Sequence, residues 1–376
     1  MGEKMKIGII TSPFGPLPPN ALGAVERLWY YVGICMSAKG HEVIFYSKKD
    51  SCYNLNGSIQ IIKIRGYKRT KSVYGDILKD FVFTLKSLFK LSSCDILVQN
   101  TFWAPILSPL VGWKYKKTVY NVARMPKGQF HFYKAVNQFS CVSNAVKEAL
   151  EKEIGSNPKI VIVCNPLNLK YFKYSRKRID SDSVIITYHG RIHKEKGLDL
   201  LCCAAQNLSQ DNKIHLILIG PYETGKGGSG IEYVNILKRL CPDVEISFPG
   251  GISDPQALNE ELSKCDIYCY PSIADQGETF GVSPLEAMGA GRPVIVSGLA
   301  CFTDFIEDGK NGLVFNHHAD NAVEQLTEQI KKLIDNPKLR YELGEAAYRR
   351  AQEFSVESIT EQYIRNFEIL LADNHG

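Results

Sequence analysis

The chain has 376 residues, 44% hydrophobic and 23% charged, values that exclude a disordered, collagen-like or rod-like protein and favour two folded domains over one. Its formal charge of +5 conceals a division: residues 1–175 carry 25 Lys and Arg against 10 Asp and Glu, while residues 176–376 carry 20 against 30. The basic half implies an anionic partner, whether a membrane surface, a phosphorylated acceptor or nucleic acid.

In chain order, MKIGIIT is a β-branched run that reads as a buried parallel strand, followed by a loop in which three prolines come after Gly15. The polar start and the short apolar stretch of residues 7–10 do not make a secretory leader. From Ala21, Val25, Leu28, Trp29, Val32, Cys35 and Met36 recur at helical spacing until Gly40. HEVIFYS then returns to strand character, which completes a strand, helix, strand unit. Further strands are expected at residues 60–64, 95–99, 117–121, 139–142 and 159–163, with helical patterns between most of them.

Lys63, Arg65, Lys68, Arg69 and Lys71 form a basic cluster ahead of a helical segment, residues 76–91, whose Phe81, Leu85, Leu88 and Phe89 share one face. That pairing suits an anionic membrane or a lipid-phosphate acceptor, and equally a helix packed on the core beside a solvated loop. Trp113 with Lys114, Lys116 and Lys117 offers a second basic and aromatic patch. No charge occurs between Asp95 and Lys114, yet Gln99, Asn100, Pro105 and Pro109 interrupt the stretch, so strand, loop and short helix are expected in place of a membrane span.

Residues 167–183 are polar, basic and aperiodic, and read as the linker between domains. Beyond them SVIITYHG, IHLILIG, VEISFPG, DIYCYPS and PVIVS are the strands of a second parallel sheet, and after Ala319 the chain reads as helix. Eleven cysteines include no CxxC pair, and several lie in apolar segments, so reduced, buried thiols are expected and a thiolate metal site is not.

Three motifs carry chemistry. NALGAVE places Gly23 ahead of the first helix, where backbone can approach a phosphate or simply turn. YHGRIHKEKG puts Gly190, Arg191 and Lys196 in the loop at the carboxyl end of a strand, the edge where open parallel sheets bind ligands and where two cations can neutralise a diphosphate. PSIADQGETFGVSPLEAMGAGRPVIVS offers Glu278 in a loop and Glu286 in a short helix. Carboxylates accept hydrogen bonds from paired hydroxyls, and free amides at a helix start favour a diphosphate, a combination suited to a sugar nucleotide. Ser283 and Glu286 also stand at capping-box spacing, with Pro284 at a favoured first helical position. GPYETGKG, opening at Gly220, is one residue from a phosphate-binding P-loop but has Gly227 where a magnesium-binding hydroxyl belongs. FPGGISD, with Phe248, is expected to border a nucleobase. DSD at residues 180–182 lies in the basic linker and reads as solvated charge.

Together these motifs resemble the retaining glycosyltransferases of family four over essentially the whole chain. The resemblance implies the GT-B fold: two α/β Rossmann-like, doubly wound domains facing each other across a cleft, here residues 1–170 for the acceptor and 171–358 for the donor. A last helix, about 359–376, would cross back to the first domain. It implies that Glu278 acts on the donor sugar, that Glu286 binds ribose hydroxyls, that Arg191 and Lys196 bind the diphosphate, and that the amides of Thr279, Phe280, Gly281 and Val282 contact sugar and phosphate. Asn100, where family members often carry histidine, Asn121 and Arg124 are the acceptor-side candidates. No metal or cofactor is expected, the nucleotide sugar being a co-substrate. The partners are a nucleotide-diphosphate sugar, a glycan, lipid-linked or small-molecule hydroxyl acceptor, and an anionic membrane surface at the basic domain, but no nucleic acid. The setting is cytoplasmic, at the inner face of the membrane if that surface docks, in bacterial-type polysaccharide or glycoconjugate synthesis. A sugar-nucleotide epimerase and a non-catalytic nucleotide- or glycan-binding protein are the other classes open to such a chain.

Overall fold

The computed structural model describes residues 3–17, 23–49, 59–70, 72–174 and 183–373. The chain divides into two compact units, Met1–Pro166 with Val356–Gly376, and Leu167–Ser355. Leu22, Lys71 and the DSD aspartates lie outside the described residues.

In the first unit the elements run β1 (Lys6–Ile10), α1 (Ala24–Ala38), β2 (Glu42–Lys48), β3 (Ile59–Ile64), α2 (Val73–Phe89), β4 (Cys94–Gln99), α3 (Ala104–Leu107), β5 (Tyr115–Val122), β6 (Gln138–Cys141), α4 (Asn144–Ile154) and β7 (Ile160–Ile162). Every strand pairing is parallel, in the order β3-β2-β1-β4-β5-β6-β7. The order reverses direction between β1 and β4, which stay paired to their last residues, Ile10 and Gln99, so the connections leave their carboxyl ends in opposite directions and open a crevice beyond them for a ligand. In α1, Leu28, Trp29, Val32 and Met36 are fully or almost fully buried, as their spacing requires, and Gly40 closes the helix at φ 96°.

α2 forms as expected but presents another face. Ser72 caps it by accepting from the Gly75 amide at 3.4 Å, and its buried side is Asp80, Phe83, Thr84, Ser87 and Leu88. Of the expected apolar face, Leu88 is buried, Phe81 lies edge-on to Trp103 at 5.2 Å, and Phe89 points outward. The helix turned because Trp103 docks on it: its indole donates to the Ile77 carbonyl at 3.0 Å and its amide to Asp80 at 3.1 Å. Val73, Tyr74 and Leu78 are left exposed with Phe89. The stretch after β4 is loop, α3 and a 3-10 segment, and no described helix is long and apolar enough to cross a membrane.

The second unit runs β8 (Val184–His189), α5 (Leu198–Leu208), β9 (Ile214–Ile219), α6 (Ile231–Leu240), β10 (Glu245–Gly250), α7 (Pro255–Ser263), β11 (Ile267–Tyr270), α8 (Val282–Gly289), β12 (Val294–Ser297), β13 (Leu313–Phe315), α9 (Ala322–Asp335) and α10 (Pro337–Gln352). Its parallel sheet is ordered β10-β9-β8-β11-β12-β13, so the switch point lies between β8 and β11. β13 was not expected; three residues are too few for a periodic signal.

The last helix, α11 (Val356–Ala372), belongs to the first unit. Tyr363 packs its ring 4.9 Å from that of Trp29, and Lys39 pairs with Glu361 at 2.8 Å. Both rings are buried, and truncating one of that size in a core costs about 3–5 kcal/mol. Of the expected linker, residues 167–174 belong to the second unit, and residues 175–182 lie outside the described residues. Leu167 donates its amide to the Phe354 carbonyl at 2.7 Å, Leu167 and Phe172 are buried, and Tyr174 packs 5.2 Å from Tyr348. Hydrophobic residues scattered in a basic stretch thus anchor residues 167–174 within the second unit.

Candidate functional site

The site is built where β8 and β11 diverge. β8 ends at His189, and Gly190 and Arg191 follow it. β11 leads into the loop of residues 271–281, which ends at α8. Gly197 brings the two segments together. It has φ 60°, and a Cβ there would collide with the Pro271 carbonyl, so only glycine permits the approach. At Gly220, the end of β9, a Cβ would likewise collide with the Gly190 carbonyl.

Glu278 is the centre of the arrangement. Its Oε2 accepts from Lys196 Nζ at 2.6 Å, from the Tyr270 hydroxyl at 3.1 Å and from the Ser272 hydroxyl at 3.3 Å. Burial, and then the Glu278 charge, raises the Tyr270 phenol well above its usual range, which keeps it a donor. Lys196 does not project from its loop as expected: the turn before Gly197 carries it inward to 5% exposure, with its ammonium 5.5 Å from the Tyr270 ring centroid. A partly buried carboxylate and a buried ammonium so placed are costly to separate, on the order of 3–5 kcal/mol if one is deleted. Arg191 does project, with its guanidinium donating to Glu195 at 2.7 Å and to the Gly227 carbonyl at 3.2 Å.

Glu286 does not cap α8. The N-cap is Gly281, at φ 93°, and it offers no side-chain acceptor. Ser283 is therefore the second helical residue and Pro284 the third, so the capping-box reading fails because the helix begins two residues earlier than that reading requires. A Cβ on Gly281 would lie 2.5 Å from the Phe302 ring, and the neighbouring Phe280 is buried 5.1 Å from Phe305. Packing thus fixes the start of α8, and its first amides, Val282 among them, meet no side-chain cap beside Thr279 and Glu278.

Glu286 instead meets His189, whose Nε2 lies 2.9 Å from Oε2 with both side chains buried. His189 Nδ1 is buried without a hydrogen-bond partner. Sequence reasoning missed His189, Tyr270 and Ser272 as members of the site. Their signal was position: each lies in the last residue of a strand, or within two residues of it, at the switch point. Phe248, in β10, is half-buried, with Lys238 Nζ 5.8 Å from its ring centroid.

The near P-loop does not form a phosphate cradle. Residues 224–226 are a single 3-10 turn, Lys226 pairs with Glu223 at 2.7 Å, and α6 starts only at Ile231. In the first unit Gly23 is the N-cap of α1, and the space a Cβ would need is taken by the Glu26 carboxylate at 2.5 Å. A phosphate at Gly23 would meet that negative charge. Asn100 accepts from the Trp29 indole at 2.7 Å and from Asn121 at 3.0 Å, and donates to the Ile10 carbonyl at 2.9 Å. Its side chain ties β1, β5 and α1 together at the carboxyl edge of the first sheet. Arg124 is exposed just beyond β5. Among the described residues ten cysteines are free thiols, and Cys141, Cys265 and Cys269 are buried as expected, whereas Cys35 and Cys164 are only half-buried.

Residues 172–350 match the family described as glycosyl transferases group 1. A D-inositol 3-phosphate glycosyltransferase from Nocardioides sp. is 26% identical over 195 residues, 50% of this chain and 42% of that protein. The chain spans about half the length of the relatives of this kind that it matches. Among solved structures, sucrose-phosphate synthase from Thermosynechococcus elongatus superposes with a TM-score of 0.80 at 18% identity, covering 98% of this chain and all of that one. Anabaena HepE in complex with UDP and glucose does so with a TM-score of 0.72 at 18% identity, over 97% of this chain and all of that one. These likenesses share the architecture of two Rossmann-like sheets.

Proposed function

We propose that the chain, whose residues 172–350 match the family described as glycosyl transferases group 1, moves a sugar from a nucleotide-diphosphate donor to a hydroxyl acceptor with retention of anomeric configuration. The observation that carries this reading is the threefold anchoring of Glu278 by Lys196, Tyr270 and Ser272 beside the uncapped start of α8. A carboxylate, a buried ammonium and free helix amides are together complementary to a hexose joined to a diphosphate. HepE, of the same fold, is seen with UDP and glucose, which supports a nucleotide-sugar donor.

In this reading the diphosphate lies against Arg191, Lys196 and the α8 amides, and the ribose hydroxyls reach Glu286, which His189 orients. Phe248 borders the base. The bond from the anomeric carbon to the phosphate oxygen breaks as the acceptor oxygen bonds to that carbon on the same face. The hydroxyl proton passes to the departing phosphate oxygen. Glu278, acceptor of three hydrogen bonds, stabilises positive charge on the sugar without forming a bond to it. The cations and amides supply the charge that a divalent ion provides in other transferases, so turnover needs no added magnesium or manganese.

The acceptor is a hydroxyl of a glycan, lipid-linked or small molecule held by the first unit, in glycoconjugate synthesis. Its exposed Tyr74, Leu78, Phe89, Leu110 and Trp113, set among Lys86, Lys90, Lys114 and Lys116, suit peripheral docking on an anionic bilayer. Lys114 Nζ donates to the Phe89 carbonyl at 3.2 Å, which brings the Trp113 segment against the end of α2.

The test is transfer itself. The protein is incubated with UDP-, GDP- and ADP-sugars and a panel of hydroxyl acceptors. One donor should give an acceptor-dependent product, and Glu278→Ala should lower turnover at least 100-fold while leaving nucleotide binding within a few-fold. Donor conversion without any acceptor would favour an epimerase, and full turnover in Glu278→Ala would remove that residue from the chemistry.

A further inference from the structure

Outside the contacts already described, the loop that carries Glu278 meets a second cluster. Asp275 Oδ1 lies 3.1 Å from His318 Nε2 and 3.4 Å from His317 Nε2. One ligand atom from each of the three residues falls within 4.8 Å of the others. His318 and Asp275 are half or more exposed, whereas the His317 side chain is 2% exposed.

The His318–Asp275 hydrogen bond could by itself clip the loop to the turn after β13. It leaves His317 unexplained, because both of its ring nitrogens are buried without a hydrogen-bond partner. A buried, unpartnered imidazole is destabilising, and its Nε2 faces the same carboxylate oxygen as His318. Two neutral imidazoles and a carboxylate converging on one point are the donor set of a zinc-class divalent ion. Tetrahedral bonds of about 2.0–2.1 Å set neighbouring ligand atoms roughly 3.3 Å apart, close to the two separations seen here.

We propose that Asp275, His317 and His318 bind one zinc-class divalent ion, with its fourth position open to water on the exposed side. The ion joins the Glu278 loop to the turn that follows β13. It lies three residues from Glu278 in sequence and takes no part in the sugar transfer, so the proposal stands whether or not that reading holds. The sequence signal was the His317–His318 pair, which metal-ligand spacing rules for single segments do not capture, since the third ligand is 42 residues away.

The experiment uses zinc alone. Wild-type protein, Asp275→Ala and His318→Ala are loaded with Zn2+, dialysed against metal-free buffer and assayed for bound zinc. Both substitutions are at exposed positions, and circular dichroism checks the fold. The wild type should retain one zinc per chain and show a raised thermal midpoint with Zn2+, and both variants should lose at least tenfold in affinity and show no such rise. Cobalt in place of zinc should give tetrahedral ligand-field absorption in the wild type only. No zinc on the wild type overturns the proposal. So does wild-type affinity in either variant, which would put the ion on thiols or elsewhere.

Discussion

Two carboxylates on this chain are controlled by their surroundings in opposite ways. Glu278 is partly buried against its counter-charge, so the Lys196 ammonium both offsets its desolvation and fixes its position. Asp80, on the inner side of α2, is met by the backbone amides of Trp103, at 3.1 Å, and Phe102, yet burial outweighs them and pushes its carboxyl up to about 7. Between the unfolded value of 3.8 and about 7, the folded chain therefore holds a proton that the unfolded chain has lost. Stability from this group is present below that window and falls as pH rises through it, by up to roughly 4 kcal/mol. Asp80→Asn keeps the amide contact and removes the titration. Urea unfolding at pH 5 and pH 8 should show a smaller loss on going to pH 8 in the variant than in the wild type. An equal loss in both would show that Asp80 ionises freely.

At the scale of elements, legibility followed the physical signal. The strands of both sheets other than β13, and α1 with its Gly40 stop, were readable because buried β-branched runs and 3.6-residue spacing are local properties, whereas the return of the last helix to the first unit came from the family resemblance and not from periodicity. The face of α2 was not, since the docking of Trp103, from a segment fourteen residues beyond the helix end, decided which side turned inward. The start of α8 was misread for a related reason: Ser283 has the chemistry of a cap, but the left-handed turn at Gly281 ends the loop first. Glu278, Glu286, Arg191 and Lys196 were legible as a motif. The partners that give them geometry, His189, Tyr270 and Ser272, became visible only once the strand order put β8 next to β11. α2 and the segment after α3 also carry the surface proposed to dock on a bilayer. Vesicles rich in anionic phospholipid should sediment the wild type, with binding reduced by added salt and by joint Phe89→Ser and Trp113→Ser substitution. Equal binding to neutral vesicles, or none to either, would count against it.

On the scale of the whole molecule, charge and architecture assign different work to the two units. The first, basic overall, is suited to an anionic surface or acceptor. The second unit, residues 167–355, carries 26 Asp and Glu against 21 Lys and Arg, so under the proposed function a diphosphate finds no general attraction there and depends on a local cluster of donors. The cations of that cluster are already matched to carboxylates, Lys196 to Glu278 and Arg191 to Glu195. Binding must redirect them, which makes each one's contribution measurable. Isothermal titration of UDP, GDP and ADP into the wild type, Arg191→Ala and Lys196→Met, each verified as folded, tests this directly. At least one nucleoside diphosphate should bind the wild type one to one, and each substitution should weaken it tenfold or more. No binding by any of the three, or unchanged affinity in both variants, would contradict the account.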